Sequence, residues 1–378
     1  MQTILKNTED PSSIREASRI LKEGGLVAFP TETVYGLGGN ALDPSASARI
    51  YAAKGRPSDN PLIVHIAETS ALEELAEEIP EKAHQLAEAF WPGPLTIILY
   101  KKKSVPDATT GGLSTVAIRM PSHPAALALI RESGVYIAAP SANKSGRPSP
   151  TTAQHVKEDL DGRIDMILDG GPVGIGIEST IVDLTEEIPM ILRPGFITRE
   201  MLSAVIGPVE LDPTLAGITE SENAPPCPTG NGAASPAGPQ DLQHPKAPGM
   251  RYTHYAPKGE LTIVSDRTTP ERVTPAVKKR LQHLIREALD QGMITGIMTT
   301  GENAADYNIF KDDPHFRLIL LGDTDNGQTV ASHLYRALRE CDDRGCERIY
   351  SENFRRDTFG SAIMNRLVKA AGHRIIYC

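Results

Sequence analysis

A stretch rich in proline, glycine, alanine and serine divides the chain and constrains its fold more than any other feature. It runs APPCPTGNGAASPAGPQDLQHPKAPG from Ala224 to Gly249. Such a composition is typical of a flexible linker and not of a packed element. A typical domain has about 100 to 200 residues, and the chain has 378, so two domains are expected. We predict a first domain at residues 1–210, a linker at 211–258 and a second domain at 259–378.

Short apolar runs alternate with helix-like segments before the linker. Helices are predicted after a cap at Ser12 or Ser13, from about Pro44 to Lys54, and from about Glu81 to Phe90. So many strands in so few residues predict one large, twisted mixed sheet with helices packed against it. The runs that favour strands are Leu26 to Phe29, Leu62 to Ile66, Leu95 to Leu99, Thr115 to Met120, Val135 to Ala139, Asp165 to Leu168 and Ser179 to Leu184.

Strand and helix patterns alternate more regularly after the linker. Helices are predicted from about Pro275 to Gln291, from about Thr329 to Cys341 and from about Gly360 to Ala371, with apolar runs between them. This alternation predicts a smaller, Rossmann-like α/β domain with a parallel, doubly wound sheet. The domain lacks a phosphate-binding fingerprint, which favours a structural or docking role over a second active site.

Composition argues against several classes of protein. A formal net charge of −9 disfavours a protein whose main role is to coat nucleic acid, although a local basic cleft is compatible with it. No apolar run approaches the roughly 20 residues of a membrane helix, and the opening MQTILKNTED has no signal-peptide pattern, so we expect a cytoplasmic protein. The four cysteines are scattered without a CxxC pair, so neither a disulfide framework nor a metal site is predicted.

Polar and cationic residues follow several predicted strands, where open α/β sheets place their ligands. The segment PTETVYGLG offers the hydroxyls of Thr31 and Thr33, although a glycine-rich turn also explains it. The segment KGRPSDNPL places Lys54 and Arg56 on a loop with two prolines, as a fork suited to a polyphosphate. Taken alone, this pair is better explained as solvated charge at a helix C-terminus.

Further clusters repeat this design. Arg119 lies in the apolar strand TVAIRM and needs either a protein carboxylate or a ligand carboxylate as its partner. The segment PSANKSG places Ser141 and Asn143 after a strand, where such residues form turns or donate to phosphate oxygens. Glu178-Ser179-Thr180 and Arg193-Pro194-Gly195 mark two later strands. The convergence of these clusters predicts a pocket for a polyanion.

The common nucleotide-binding and catalytic motifs are missing from the sequence. There is no GxxxxGK[ST] phosphate loop, and no HExxH, GxSxG or kinase motif set. A GxGxxA match at Gly36 to Ala41 is separated from the preceding strand and begins no predicted helix, so we treat it as accidental. His65 lies within a predicted strand, where a core histidine is commoner than a catalytic one.

Four segments together carry a family resemblance. In their order and spacing, PTETVYGLG, KGRPSDNPL, PSANKSG and ESTIVD resemble the YrdC/Sua5 family, and a second domain after a linker resembles its longer Sua5 form. The resemblance covers nearly the whole chain. It implies an L-threonylcarbamoyladenylate synthase, a nucleotidyltransferase whose product serves the N6-threonylcarbamoyladenosine modification of tRNA.

The resemblance also implies binding residues at the matching positions. It makes Lys54 and Arg56 the catalytic cations, and Asn143 lines the same phosphate region. Part of the linker, in PGMRYTHYAP, is similar to a lid over the pocket, with Tyr252, His254 and Tyr255 as its contacts. The positions implied for L-threonine are Thr33, His65, Arg119, Ala139 and Ser179, with Arg119 on the substrate carboxylate. The positions implied for ATP are Arg56, Asn60, Thr115, Ser141, Asn143, Ser149 and Arg193.

The reaction that the resemblance implies joins L-threonine, bicarbonate or CO₂, and ATP. A carbamate formed on the threonine amine attacks the α-phosphorus of ATP and expels pyrophosphate. Because a carbamate is already anionic, no protein nucleophile is required. Lys54, Arg56 and Arg193, with a Mg²⁺ ion carried by the nucleotide, would neutralise charge on the phosphates. The product would pass to the tRNA threonylcarbamoyl-transfer machinery, and a direct tRNA contact is left open.

Two other functions fit parts of the pattern. Proteins of this fold can look like modules that bind double-stranded RNA or tRNA, but the acidic total charge and the 5% aromatic content disfavour that class. A carbamoyl-transferring domain of a larger hydrogenase-maturation protein would need acylphosphatase and zinc-finger segments. The chain has neither.

Overall fold

Two β-sheets lie on either side of the predicted linker. The computed structural model describes residues 2–216, 245–248, 254–323, 325–354 and 359–378. The first sheet ends at Leu211 and the second begins at Glu260, so the exact bounds of the linker stay a prediction. The strands before the linker are β1 (Ile4–Asn7), β2 (Val27–Phe29), β3 (Gly36–Asn40), β4 (Ile63–His65), β5 (Leu95–Tyr100), β6 (Thr115–Arg119), β7 (Ile137–Ala138), β8 (Met166–Asp169), β9 (Thr180–Asp183), β10 (Met190–Arg193) and β11 (Glu210–Leu211).

The first sheet mixes parallel and antiparallel neighbours. Its described strands lie in the order β1-β8-β2-β3-β7-β4-β6-β5-β9-β10-β11. β4 and β6 run parallel, as do β5 and β9, whereas β3 and β7 are both antiparallel to their neighbours. This confirms the prediction of a large mixed sheet. The parallel pairing of β4 with β6 brings His65 directly opposite Arg119.

Helices pack against this sheet, largely where the sequence predicts them. The first helix is capped by Asp10, whose carboxylate accepts a hydrogen bond from the Ser12 amide (2.8 Å), so the expected cap at Ser12 or Ser13 is wrong. A carboxylate at this position also favours the helix dipole. The helices are α1 (Pro11–Lys22), α2 (Pro44–Lys54), α3 (Leu72–Leu75) after a 3₁₀ turn at Thr69–Ala71, α4 (Glu81–Phe90), α5 (Asp107–Thr110), α6 (Pro124–Ser133), α7 (Ala153–Leu160), α8 (Arg199–Ile206) and α9 (Pro213–Ala216).

The glycine-rich segment GLGGN forms a strand, β3, where the sequence indicates a turn. A side chain at Gly38 would place its Cβ 2.6 Å from the Ile137 side chain and 2.9 Å from the Phe29 ring. Glycine therefore allows this strand to pack closely between two buried neighbours. Such glycines do not produce the alternation of apolar and polar residues from which a strand is predicted.

The second domain has the predicted parallel sheet. Its strands lie in the order β14-β13-β15-β12-β16, and every described pair is parallel. This confirms the Rossmann-like expectation. The elements are β12 (Glu260–Ser265), α10 (Pro275–Asp290), β13 (Thr295–Thr299), a 3₁₀ helix at Ala304–Phe310, β14 (Phe316–Leu320), α11 (Gly327–Asp343), β15 (Arg348–Glu352), α12 (Gly360–Ala370) and β16 (Ile375–Tyr377). None of the helices in the described residues is long and apolar enough to cross a membrane.

Buried polar contacts join the two domains. Arg339 of α11 donates to the Asp159 carboxylate of α7 (2.7 Å) and to the Pro148 carbonyl (2.6 Å). Arg366 of α12 forms an ion pair with Glu178 (3.2 Å), just before β9. Both arginine side chains are fully buried. Because a buried charge is stable only beside its partner, these pairs fix the second domain against the first.

Replacing Arg339 with methionine is expected to lower the free energy of unfolding by about 3 kcal/mol, because a buried Asp159 loses one of its partners. Arg147 still neutralises that carboxylate (2.5 Å), which keeps the loss at the low end of the range for buried pairs. Urea unfolding followed by circular dichroism measures it. Arg19→Met, which breaks the exposed pair with Glu23, is the matched control with an expected loss below about 0.5 kcal/mol. Equal losses in the two variants would contradict this expectation.

Candidate active site

A cavity lies where strand ends of the first sheet meet the segment that precedes β12. Its lining combines cationic, hydroxyl and apolar side chains from separate loops. The residues that line it are Thr31, Thr33, Val34, Gly36, Lys54, Arg56, Ile63, His65, Arg119, Ala139, Pro140, Ser141, Asn143, Ser145, Gly146, Glu178, Arg193, Pro248, His254 and Tyr255.

Most of the site residues predicted from the sequence meet in this cavity. Those that line it are Thr33, Lys54, Arg56, His65, Arg119, Ala139, Ser141, Asn143, Arg193, His254 and Tyr255. Four others, Asn60, Thr115, Ser149 and Ser179, lie outside the lining. Tyr252 lies outside the residues that the structure describes.

Three of the four residues outside the lining still contact it directly. The Ser149 hydroxyl donates to Glu178 (2.6 Å), Arg193 donates to the Ser179 hydroxyl (3.1 Å), and Arg56 donates to the Asn60 carbonyl (3.4 Å). Thr115 differs, because it begins β6 whereas Arg119 ends it. Residues four apart on a strand are separated by about 13 Å.

Lys54 ties two of the sequence motifs together. It is the last residue of α2, and Gly55 turns the chain away with a left-handed φ of 63°. The buried Lys54 ammonium donates to the carbonyls of Ser141 (2.5 Å) and Asn143 (2.5 Å). Burial, together with the nearby Arg56 guanidinium, lowers the pKa of Lys54 well below its ordinary range. An anion in the cavity would favour the charged form of this lysine.

Arg56 extends the cationic wall. Its guanidinium donates to the carbonyls of Asn60 (3.4 Å) and Pro61 (3.2 Å), both of which are neutral acceptors. Burial lowers the pKa of Arg56 to about 10, and the Arg193 charge contributes to that lowering. The group is still protonated at neutral pH, so its charge is available to a bound anion.

Arg119 has a protein carboxylate as its partner. It lies 2.7 Å from the Glu32 carboxylate, and it also donates to the Thr33 hydroxyl (3.0 Å) and the Gly93 carbonyl (3.3 Å). The sequence left open whether a protein or a ligand carboxylate balances this charge. Glu32 was missed, although it lies inside the motif PTETVYGLG that the sequence singled out. Arg119 reaches the cavity while remaining 4% exposed.

His65 ends β4 and contributes an uncharged ring to the cavity wall. Its Nδ1 lies 3.1 Å from the Ile63 carbonyl, and its ring packs edge-on against Phe29. Burial, followed by the charge of Arg119, lowers the pKa of His65 to about 3. The sequence favoured a core histidine here. The structure places the ring in the core and in the cavity lining at once.

Acidification is expected to destabilise the protein through His65. Between the ordinary pKa of 6.5 and the folded value of about 3, the unfolded chain binds a proton that the folded chain does not. The contribution of His65 to the free energy of unfolding is complete above pH 6.5. It is lost as the pH falls, by at most about 1.4 kcal/mol per pH unit. Urea unfolding of wild type and His65→Gln at pH 7, 6 and 5 measures the two slopes.

The His65→Gln variant should show the shallower loss of stability. His84→Gln is the control, because His84 is exposed on α4 and its removal should leave the wild-type slope. Parallel slopes for wild type and His65→Gln would contradict the expectation that the folded protein excludes a proton from His65.

Arg193 and Glu178 close one side of the cavity. Arg193 ends β10 and donates to the Ser179 carbonyl (3.0 Å), the Ser179 hydroxyl (3.1 Å) and the Pro248 carbonyl (3.4 Å). Burial raises the pKa of Glu178, but Arg366 and Arg193 outweigh it and lower the value to about 2. Glu178 is therefore ionised at neutral pH. The sequence marked its cluster without assigning Glu178 a role.

Residues from the end of the linker cover the cavity. Pro248, His254 and Tyr255 all line it. Tyr255 has a left-handed φ of 66°, is 6% exposed and packs its ring 5.1 Å from that of Tyr335 in α11. The covering segment is therefore held between the cavity and the second domain.

No group of three or more histidine, cysteine, aspartate or glutamate side chains within the described residues could hold a metal ion. The cavity lining instead carries four cations, Lys54, Arg56, Arg119 and Arg193, and one carboxylate, Glu178. Such a set is suited to anions of the substrate, including phosphates that bring their own counterion.

Comparison with known proteins assigns the chain to a family. A family model for Sua5, YciO and YrdC proteins, described as telomere recombination, matches residues 19–195. A second model, described as the C-terminal domain of threonylcarbamoyl-AMP synthase, matches residues 197–372. Threonylcarbamoyl-AMP synthase from Bacillus subtilis is 49% identical over 371 residues, which cover 98% of this chain and 96% of that protein. The chain belongs to the threonylcarbamoyl-AMP synthase family.

Other members of the threonylcarbamoyl-AMP synthase family agree. The synthase from Pyrococcus abyssi is 46% identical over 96% of this chain and 95% of its own length. The crystal structure of P. abyssi Sua5 complexed with L-threonine is 43% identical, covers both chains completely and superposes with a TM-score of 0.85. Membership confirms the enzyme class and the long Sua5 form that the motifs predict, and the comparisons do not favour the RNA-binding module.

One further structure of this synthase family carries two substitutions. It is a variant of P. abyssi Sua5 in which a neighbouring histidine and tyrosine are both replaced by alanine, and it has a TM-score of 0.85 and 43% identity over the whole of this chain. In the present chain, a neighbouring histidine and tyrosine, His254 and Tyr255, line the cavity.

Proposed function

We propose that this cavity binds L-threonine beside the phosphates of ATP and forms threonylcarbamoyl-AMP from them with bicarbonate, releasing pyrophosphate. The observation that carries the proposal is the charge of the lining, in which four cations face one carboxylate. That carboxylate, Glu178, already has Arg366 as a partner. Glu32, beside the lining, pairs with Arg119. The surplus positive charge of Lys54, Arg56 and Arg193 in an enclosed space is suited to a triphosphate, with Arg119 held in place for a carboxylate.

Within this proposal, L-threonine lies against Thr33, His65, Arg119, Ala139 and Ser179. Three of the five N–H groups of Arg119 donate to Gly93, Thr33 and Glu32, and the pairing with Glu32 holds the guanidinium in place for the substrate carboxylate. Because His65 is neutral, Arg119 is the cationic partner of that carboxylate. The small Ala139 side chain leaves room for the substrate methyl group.

The nucleotide is assigned to Arg56, Asn60, Thr115, Ser141, Asn143, Ser149 and Arg193, with Lys54 beside them. Lys54 positions the loop of Ser141 and Asn143, and its charge is stabilised when phosphates arrive. Mg²⁺ enters as part of the nucleotide substrate. Thr115, at the far end of β6 from Arg119, suits a part of ATP remote from the threonine carboxylate.

The chemistry requires position and charge, and no protein nucleophile. The carbamate nitrogen belongs to threonine, and one carbamate oxygen forms the new bond to the α-phosphorus as the bond to pyrophosphate breaks. Lys54, Arg56 and Arg193 would neutralise the charge that grows on the departing phosphates. Exclusion of water would protect the mixed anhydride product from hydrolysis.

The covering segment of the linker supports a lid. The cavity holds about 60 Å³, whereas pockets for ligands of this size typically measure about 300–1,000 Å³. Pro248, His254 and Tyr255 therefore have to withdraw before ATP enters, and they return to shield the reaction. We assign Tyr252 to the same lid as a prediction from the sequence.

The product would then pass to the tRNA threonylcarbamoyl-transfer machinery, in the cytoplasm. A rival role, binding of double-stranded RNA or tRNA by the same fold, finds less support, because Lys54, Arg119 and Arg193 are buried around a cavity and are not spread over an open face.

Pyrophosphate exchange separates the two roles. Purified protein with MgATP and labelled pyrophosphate should exchange label into ATP only when L-threonine and bicarbonate are both present, and chromatography should detect threonylcarbamoyl-AMP. Absence of threonine-dependent exchange, together with salt-sensitive binding of tRNA, would overturn the synthase proposal in favour of an RNA-binding module.

A further inference from the structure

Side chains of the second domain contact Glu178, a carboxylate of the cavity lining. One oxygen of Glu178 accepts hydrogen bonds from the hydroxyls of Ser149 (2.6 Å) and Tyr335 (3.0 Å). The other accepts from the Tyr335 hydroxyl (2.8 Å) and from Nε of Arg366 (3.2 Å). Tyr335 and Arg366 belong to α11 and α12, and both are fully buried. The second domain thus supplies the charge that balances a carboxylate of the cavity lining.

Arg366 also holds the backbone on both sides of that carboxylate. It donates to the carbonyl of Glu178 itself (3.3 Å) and to the carbonyl of Pro194. These two carbonyls adjoin Ser179 and Arg193 in the chain. One side chain from α12 therefore holds the start of β9 against the end of β10, which carries the cavity cation Arg193.

The position of Arg193 depends on this clamp. Its guanidinium donates to neutral oxygens of Ser179 and Pro248, and it lies near enough to Glu178 for the two charges to interact. Without Arg366, the cations left near the buried Glu178 charge are Arg193 and Lys369 of α12, and of these Arg193 lines the cavity. A carboxylate that pairs with Arg193 competes with any anionic ligand for the same guanidinium.

We propose that Arg366, supported by Tyr335, is a positioning residue for the reaction of the first domain. Arg366 neutralises Glu178, so that the charge of Arg193 stays directed at the anion bound in the cavity. The second domain is then part of the working active site, a role that goes beyond the structural or docking one favoured by its sequence. The inference rests on the proposed function only for the identity of that anion, ATP.

Binding of MgATP, measured by calorimetry, tests the proposal without requiring turnover. Arg366→Met should bind MgATP about 10 to 100 times more weakly, which is the effect of losing one charge-assisted contact. Adding Glu178→Gln to that variant should restore at least a fifth of the wild-type affinity, since a neutral amide no longer competes for Arg193. A purely structural role for Arg366 predicts no such rescue.

Two further variants keep the test decisive. Tyr335→Phe removes one hydrogen bond from Glu178 and should weaken MgATP binding several-fold, again with rescue by Glu178→Gln, and it serves if Arg366→Met does not fold. Asp342→Asn breaks a different pair between the domains, with Arg147 (3.2 Å), and should bind MgATP as the wild type does.

Wild-type affinity in folded Arg366→Met, or absence of rescue by Glu178→Gln, would overturn the proposal. An equal loss of affinity in Asp342→Asn would overturn it as well, because any loosening of the two domains would then suffice. A wild-type protein that binds MgATP but makes no threonylcarbamoyl-AMP would refute the proposed reaction, while the affinities of the variants would still decide the role of Arg366.

Discussion

Replacing Arg56 with alanine is expected to lower kcat/KM for ATP by about 10³-fold or more, which amounts to loss of detectable product. Arg56 lines the cavity, and the hydrogen bonds that its guanidinium donates go to two neutral carbonyls, those of Asn60 and Pro61. We expect it to stabilise the charge that develops on the phosphates, and a side chain without charge cannot replace that interaction. Release of pyrophosphate at varied ATP concentration measures the effect.

Lys54→Ala should abolish product formation in the same assay, and it should also destabilise the loop that carries Ser141 and Asn143. The lysine donates to the carbonyls of Ser141 and Asn143, so its removal leaves one half-buried and one buried acceptor without that partner. Lys144→Ala is the matched control, because Lys144 lies in the same loop with an exposed side chain and should leave kcat/KM within about twofold. Wild-type turnover by folded Arg56→Ala or Lys54→Ala would show these cations to be ordinary structural charge.

Arg119→Ala should raise KM for L-threonine by about 100-fold or more and leave KM for ATP nearly unchanged. Two effects add. The substrate carboxylate loses its guanidinium partner, and Glu32, which lies 2.7 Å from that guanidinium, is left with an unbalanced charge beside the same site. Initial rates at varied L-threonine, with saturating MgATP and bicarbonate, measure the change.

A second substitution separates the two effects. Arg119→Ala combined with Glu32→Gln should recover part of the loss, because the amide does not repel the substrate carboxylate. Arg131→Ala breaks an ion pair with Glu68 (2.8 Å) whose side chains are both exposed, and it should keep the wild-type KM. An unchanged KM for L-threonine in folded Arg119→Ala would remove Arg119 from the threonine site.

The two carboxylates beside the cavity, Glu32 and Glu178, are paired with arginines from different domains. Glu32 is balanced by Arg119 of the same domain, whereas Glu178 is balanced by Arg366 of the second domain. Glu32 holds Arg119 in place at the end of β6, and Glu178 holds Arg366 in place at the start of β9. Little conformational freedom is therefore lost when a substrate binds. Sites that are held in place in advance lose less free energy on binding.

Local features of the sequence were sufficient to predict most of the architecture. The apolar periodicity placed α2 and α4 and the second-domain helices within one or two residues of their bounds. Strand-end motifs brought Lys54, Arg56 and Arg119 to one candidate pocket because the ends of neighbouring strands meet at one edge of a sheet. These inferences succeed because helix and strand periods, and the residues that end them, are properties of short segments.

Other features left weaker signals in the sequence. Arg366 lies on the apolar face of α12 between the buried Ile363 and Leu367, and an arginine in such a position could have been noticed. The strand β3 could not be found by periodicity, because its glycines serve close packing against Ile137 and Phe29, which are distant in the chain. Glu32 belongs to the motif PTETVYGLG, but its pairing with Arg119 could not be predicted from the sequence.

The sequence by itself determined the two α/β sheets with their helices, the family and the loops that carry cationic residues, because each of these is encoded in local order and spacing. Only the tertiary structure decided which charges balance one another: Arg119 with Glu32, Arg366 with Glu178, and Arg339 with Asp159. Such partners are up to 188 residues apart in the chain. Coulombic balance depends on distance and burial in space, which no local pattern of residues records.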